Sequence, residues 1–165
     1  MQDRAKFAQS ANDFPTRDEV IATSGLEYMH KIISGEAPHP TVARSMNFRV
    51  IGAEKGQVTF SGSPDHGQSN AFGSVQGGWY AMVLDSCMSM AVISGLAKGQ
   101  FQSTIEIKVN LIRAIAPGTA LTITGNLSHL GRSTGVATGE IRGTLDDKLY
   151  AQGSCTCFIQ GTAQD

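Results

Sequence analysis

The sequence predicts an α+β domain in which one antiparallel β-sheet curls around a single long central helix, with an N-terminal helical arm. Three observations carry this. Residues 77–97 hold one charged side chain, Asp85, in 21 positions and no proline, which marks a helix apolar nearly all round. On both sides of it lie runs in which apolar and polar residues alternate with period two, the pattern of half-buried strands. A single sheet and a helix that is apolar all round bury one another only if the sheet wraps the helix, and one side of the helix then stays open.

The composition points the same way. Of 165 residues, 41% are hydrophobic and 16% charged, with a formal net charge of -1. That is one domain's worth of chain. The charged share lies below the roughly 25% of an average soluble domain, so an oligomer interface is expected to take up the surplus apolar surface. Without runs of Lys or Arg, neither nucleic acid nor an anionic membrane is expected as the main partner. The first twenty residues contain Asp3, Arg4, Lys6, Asp13, Arg17 and Asp18 and no apolar stretch of signal-peptide length, so a cytoplasmic address is expected. Cys87, Cys155 and Cys157 are an odd and sparse set that fits reduced thiols.

Taken in order, residues 1–36 form the expected arm and 37–165 the main domain. Thr16 and Glu19 offer a reciprocal helix cap after Pro15, and Val20, Ile21, Met29, Ile32 and Ile33 make an apolar stripe that ends near Gly35. Residues 36–41, with Pro38 and Pro40, read as extended linker. Phe48 and Val50, a Lys55-Gly56 turn, then Val58 and Phe60 make a hairpin. Residues 61–76, rich in Gly, Ser, Asp and Asn, form a loop long enough to be suspected of function. The helix over 77–97 reads as a core helix, because Asp85, Ser86, Ser89 and Ser94 argue against a membrane span. Beyond it, Ile105, Ile107, Val109 and Leu111 share one face of a strand, and Pro117-Gly118 turns the chain. Strands over 121–127, 136–145 and 149–159 follow, the last two joined at Asp146-Asp147.

Two features of the helix carry chemistry. Gly77 and Gly78 place backbone N–H groups at its positive end, where orphan donors and the helix dipole favour a developing negative charge. They either serve that purpose or only end a loop and start a helix. Asp85 is a lone carboxylate on an otherwise uncharged helix. It is either a functional group in a cleft, or paired with Arg113 or Lys108, or at an exposed face. Eight residues separate Gly77 from Asp85, which at about 1.5 Å per residue is about 12 Å along the helix. If both act on one carbon, they come from different subunits whose helices pack antiparallel across a twofold axis. Arg113 and Arg132 are candidates for phosphate recognition, because a guanidinium contacts phosphate in a bidentate way. No metal-ligand cluster or nucleotide fingerprint is found in the sequence, and no cofactor is expected. Gly131-Arg132-Ser133-Thr134-Gly135 has the spacing of a serine-hydrolase elbow but the strand-like sequence after it makes it a turn.

Several motifs together carry a resemblance: Asn70, then residues 73–78 reading Gly-Ser-Val-Gln-Gly-Gly at the helix start, Asp85 within it, Ser103-Thr104 entering a strand with Val109-Asn-Leu-Ile-Arg113, Gly131-Arg132, and Ala151-x-Gly153. With these, residues 36–160 resemble the hotdog-fold acyl-CoA thioesterases, in particular the phenylacetate-degradation branch. The resemblance implies a hotdog fold, a homodimer or homotetramer, and hydrolysis of an acyl- or aryl-CoA thioester. It implies Asp85 as base or nucleophile, the Gly77 N–H as oxyanion donor and Gly78 beside it. Asn70 and Ser103 would assist the carbonyl and the attacking water, and Arg113, Arg132 and Ser133 would hold coenzyme A. The family usually has His-Gly-Gly where this chain has Gln76-Gly77-Gly78. An amide still donates a hydrogen bond but does not titrate. The alternatives are a hotdog hydratase or dehydratase, which the absent histidine disfavours, and a non-catalytic acyl-CoA-binding module.

Overall fold

The computed structural model describes residues 6–163. In chain order the elements are α1 (Arg17–Ile21), α2 (Gly25–Ser34), α3 (Thr41–Ser45), β1 (Phe48–Glu54), β2 (Gln57–Gly62), α4 (Gly77–Gly95), β3 (Gln100–Leu111), β4 (Leu121–Leu130), β5 (Thr134–Gly143) and β6 (Leu149–Gly161). The strands form one antiparallel sheet in the order β1-β2-β4-β5-β6-β3. Helix α4 packs against all six strands, as the patterning predicts. Its Val83, Leu84, Cys87, Met88, Ala91 and Val92 are fully buried.

A row of glycines lets the sheet close on the helix. Gly125, Gly139 and Gly153 are register partners across β4, β5 and β6. A Cβ on Gly125 would come within 2.5 Å of the Cys87 carbonyl oxygen, and one on Gly139 within 2.7 Å of Met88 Cγ. A side chain at Gly125 would push the helix backbone off the sheet and one at Gly139 would displace Met88, so these two positions set how closely helix and sheet approach.

The arm is two helices rather than one stripe. Thr16 caps α1 as expected, with its N–H donating to the Glu19 carboxylate at 2.7 Å. A second box, Ser24 with Glu27, starts α2. That helix ends on Gly35, whose φ of 84° is open to glycine at little steric cost. Helix α2 packs on α4 and β1, and the Gly25 N–H donates to the Leu96 carbonyl at 3.1 Å.

The linker over 36–41 is short and held down. His39 is buried and accepts the Val50 N–H on Nε2 at 3.1 Å. Its Nδ1 therefore carries the proton and faces the Lys6 carbonyl at 3.2 Å. Helix α3 then follows at once, where the sequence suggested none. Pro40 provides no side-chain cap, and Ala43 is wholly buried, so packing rather than a local start signal holds this single turn.

Candidate active site

Gln76 occupies the N-cap of α4, is exposed and makes no side-chain cap, leaving the Gly77 and Gly78 amides as first-turn donors without intrahelical acceptors. The turn itself is pinned. Trp79 Nε1–H donates to the Met46 carbonyl at 2.8 Å. The Tyr80 hydroxyl donates to the Arg113 carbonyl at 3.2 Å and accepts the Ile115 N–H at 2.8 Å. Both aromatic rings are buried pins that aim the helix start. Beside them, a Cβ on Gly77 would lie 3.1 Å from Leu111 Cδ1, whereas one on Gly78 would meet nothing within 4 Å.

The open side of α4 carries Ala81, Met82, Asp85, Ser86 and Ser89, all half-buried and at helical spacing. Asp85 Oδ1 is buried and has no hydrogen-bond partner. The ion pairs among the described residues join Arg142 to Glu140 and Asp147, and Lys148 to Asp146. Neither Arg113 nor Lys108 reaches the carboxylate, so the structural salt bridge that the sequence left open is not formed. The neighbours of Asp85 are two thiols whose Sγ atoms lie 3.9 Å apart. Cys155 is pushed up by its hydrogen bond to Cys157 and by burial, with the Asp85 charge adding to the rise. Cys157 is held below its usual value by that same bond, against burial and the Asp85 charge.

Strand β3 supplies the facing wall, and the structure shows which of its side chains share the face of Asp85. Ser103 pairs with Phe158, on the exposed outer face of the sheet. Thr104 pairs with Cys157 and brings its Oγ1 to 3.9 Å from Cys157 Sγ, on the same side as Asp85. A bulge between Thr104 and Glu106 explains this, because the extra residue reverses the face on which later side chains fall. Ile107, Val109 and Leu111 face inward, and so do Gln102 and Thr104, which straight alternation would have put outside. Nothing in the local sequence marks the bulge.

The remaining candidates are spread out. Asn70 builds a turn: its Oδ1 accepts the Phe72 N–H at 2.9 Å and its Nδ2 donates to Ser74 Oγ at 2.9 Å. Its side chain is engaged there instead of at the helix start. Arg113 is exposed near the Gly77 end of α4. Arg132 and Ser133 are exposed in the β4–β5 turn, beyond Leu130, whose Cδ2 lies 3.1 Å from a Cβ placed on Gly95 at the other end. Within one chain the two arginines therefore flank opposite ends of a helix of 19 residues. A groove of about 400 Å³ lies on the outer sheet face, lined by Lys108, Asn110, Thr138, Glu140 and Gln152 among others, away from Asp85 and Gly77. No group of three or more metal-ligating side chains occurs among the described residues, and no helix among them is long and apolar enough to cross a membrane.

The sheet order, the enclosed helix and the carboxylate on its open side define a hotdog-fold protein with a site at the helix surface. Residues 72–150 match the family model of the thioesterase superfamily. A search of curated proteins finds no match. Among solved structures, a thioesterase related to phenylacetic acid degradation from Ralstonia eutropha is 28% identical, with a TM-score of 0.73, covering 79% of this chain and 98% of that one. A Streptococcus mutans protein bound to acetyl-CoA is 25% identical, with a TM-score of 0.65 and coverage of 72% and 92%. A hypothetical thioesterase from Streptococcus pneumoniae with coenzyme A is 24% identical, with a TM-score of 0.65 and the same coverage, and shows the fold. The chain thus has the hotdog fold, and its residues 72–150 resemble the thioesterase superfamily, whose solved neighbours are described as thioesterases.

Proposed function

We propose that the chain hydrolyses an acyl- or aryl-CoA thioester to the free acid and coenzyme A, as a homodimer with sites shared between subunits. The observation that carries this is Asp85, a carboxylate with one buried, unpartnered oxygen on the open side of a helix whose first amides are also unused. In the reaction the Gly77 N–H donates a hydrogen bond to the thioester oxygen and stabilises the negative charge that develops on it. The Asp85 carboxylate either takes a proton from water as the water oxygen attacks the carbonyl carbon, or attacks that carbon itself before water releases the acid. The C–S bond breaks, coenzyme A leaves as thiolate and is protonated. Thr104, on the wall facing Asp85, is suited to hold the attacking water, the task the resemblance gave to Ser103. Gln76 orients the substrate by hydrogen bonding and moves no proton.

The subunit pairing follows from the same spacing. Antiparallel packing of two α4 helices sets Gly77 of one chain against Asp85 of the other, and brings Arg113 and the partner's Arg132 toward one molecule of coenzyme A. The solved relative with bound acetyl-CoA supports the substrate class. Three buried, unpaired cysteines are in keeping with a reducing compartment such as the cytoplasm.

Free-thiol release from short, medium and aryl acyl-CoAs tests the proposal, with Asp85→Asn beside the native chain. The native protein is expected to turn over at least one substrate, and Asp85→Asn to lower kcat by about 10³-fold, within the range of a lost general base. Binding of acyl-CoA without any release by the native protein would sink the hydrolase reading and favour a binding module.

A further inference from the structure

The chain leaves β3 through residues 112–115, and this exit is fastened to the start of α4. Leu111 Cδ1 lies beside Gly77. The Ile115 carbonyl accepts the Val75 N–H at 3.0 Å, just before the helix begins. The Tyr80 hydroxyl accepts the Ile115 N–H at 2.8 Å and donates to the Arg113 carbonyl at 3.2 Å. On the side away from α4, the Ile112 and Arg113 N–H groups both donate to the Tyr150 carbonyl, at 2.9 and 3.0 Å. Burial raises the Tyr80 phenol above its usual value, against the effect of the Ile115 bond, so the hydroxyl keeps its proton and fills both roles. The Arg113 main chain is thereby clamped between α4 and β6. Its side chain stays exposed and forms no ion pair among the described residues.

We propose that Tyr80 is a positioning residue for coenzyme A: its hydroxyl fixes Arg113 at a set separation from the Gly77 and Gly78 amides, so that a phosphate on the guanidinium and the thioester oxygen at the amides are held in register. This rests on the reading of Arg113 as a coenzyme A contact given above. A guanidinium on a loose segment must lose backbone and side-chain freedom when it takes a phosphate, and a clamped main chain has lost the first part already. The hydroxyl is the part of Tyr80 that packing does not explain. Phenylalanine would fill the same buried space, but it would leave the N–H of fully buried Ile115 and the Arg113 carbonyl without their partner. Trp79, bonded to the Met46 carbonyl, holds the same helical turn from another side. The aim of the helix start therefore does not depend on Tyr80 alone, whereas the tie to Arg113 does.

Two thioesters of one acyl group read this: the acyl-CoA, and the N-acetylcysteamine thioester, which lacks the phosphates. Tyr80→Phe is expected to raise KM for the acyl-CoA by about tenfold, the size of a lost hydrogen bond to a charged group, and KM for the truncated thioester far less. Arg113→Ala is expected to do the same, and adding Tyr80→Phe to it to cost nothing more, because residues that act through one another are not additive. An equal rise for both thioesters, or a Tyr80→Phe effect undiminished in Arg113→Ala, would overturn the assignment and leave Tyr80 a purely structural pin. If Arg113→Ala alone changes nothing, the reading of Arg113 fails and this inference with it. Calorimetric binding of coenzyme A to the same four proteins reads the coupling without turnover, so a failure of the hydrolase reading is told apart. Should Tyr80→Phe not fold, exchange of the Ile115 amide decides: coenzyme A is expected to slow it in the native chain and not in Arg113→Ala, and no slowing in the native chain rejects the proposal.

Discussion

The two edges of the sheet are finished in different ways. Strand β1 runs for seven residues and is covered within the chain by α2 and α3. Its one exposed large apolar residue is Ile51, at 48%. Strand β3 runs for twelve residues and leaves Ile105 at 63%, Leu111 at 54% and Ile107 at 41% exposed. Only its start is covered, where the Arg17 guanidinium lies 3.7 Å over the Phe101 ring. An exposed, apolar strand edge invites pairing, and chains that stay single blunt such edges with charge, bulges or a covering element. This chain covers β1 with its arm and leaves most of β3, despite its bulge, uncovered beside the open side of α4. The edge beside the carboxylate is thus the one suited to a second copy, and function and assembly would share one surface.

The largest effect should come from closing that edge. Ile105→Lys together with Ile107→Lys is expected to halve the particle mass in sedimentation and to take thioesterase turnover to background, while Ile51→Lys on β1 changes neither. A dimer that survives the β3 lysines would place the interface elsewhere.

A smaller contrast lies at the helix start. Gly77→Ala forces a Cβ against Leu111, for which a loss of about 1 kcal/mol in unfolding stability is expected from overpacking, with a drop of about tenfold in kcat. Gly78→Ala meets nothing in its own chain and should unfold as the native protein does. Denaturant melts of both, run beside thiol release, check the contrast. Equal stabilities would mean that Leu111 simply moves aside.

The smallest effect belongs to the arm that covers β1. Glu19 and Glu27 are held below their ordinary value of 4.5, by the backbone and side chain of Thr16 and by the side chain and backbone of Ser24 respectively. A carboxylate whose value is lowered on folding contributes stability that is present above the unfolded value and lost as pH falls through the folded one. Both carboxylates are fully exposed, so the contribution is modest. The arm amides should exchange faster relative to those of α4 once pH falls below about 4.5, and an arm protected equally at pH 3 and pH 7 would remove these caps from the account.

What the sequence determined by itself is whatever local pattern dictates. The all-round apolar run requires α4 to be enclosed, the Thr16 box starts the arm, and Gly77, Gly78 and Asp85 are legible because glycines at a helix start and a lone carboxylate stand out against their neighbours. The structure gives Asp85 its unpartnered oxygen and rules out the pairing with Arg113 or Lys108 that the sequence left open. Tertiary structure alone decided the rest. That the Asn70 side chain closes a turn before the helix start is visible only in the structure, and α3 exists because Ala43 finds a place in the core. Thr104 rather than Ser103 shares the inner face with Ile107 because a bulge, set by pairing with residues some fifty positions away on β6, reverses the face of the strand. Period-two patterning reports which side chains alternate. Only the ladder they join determines which of the two faces is inside.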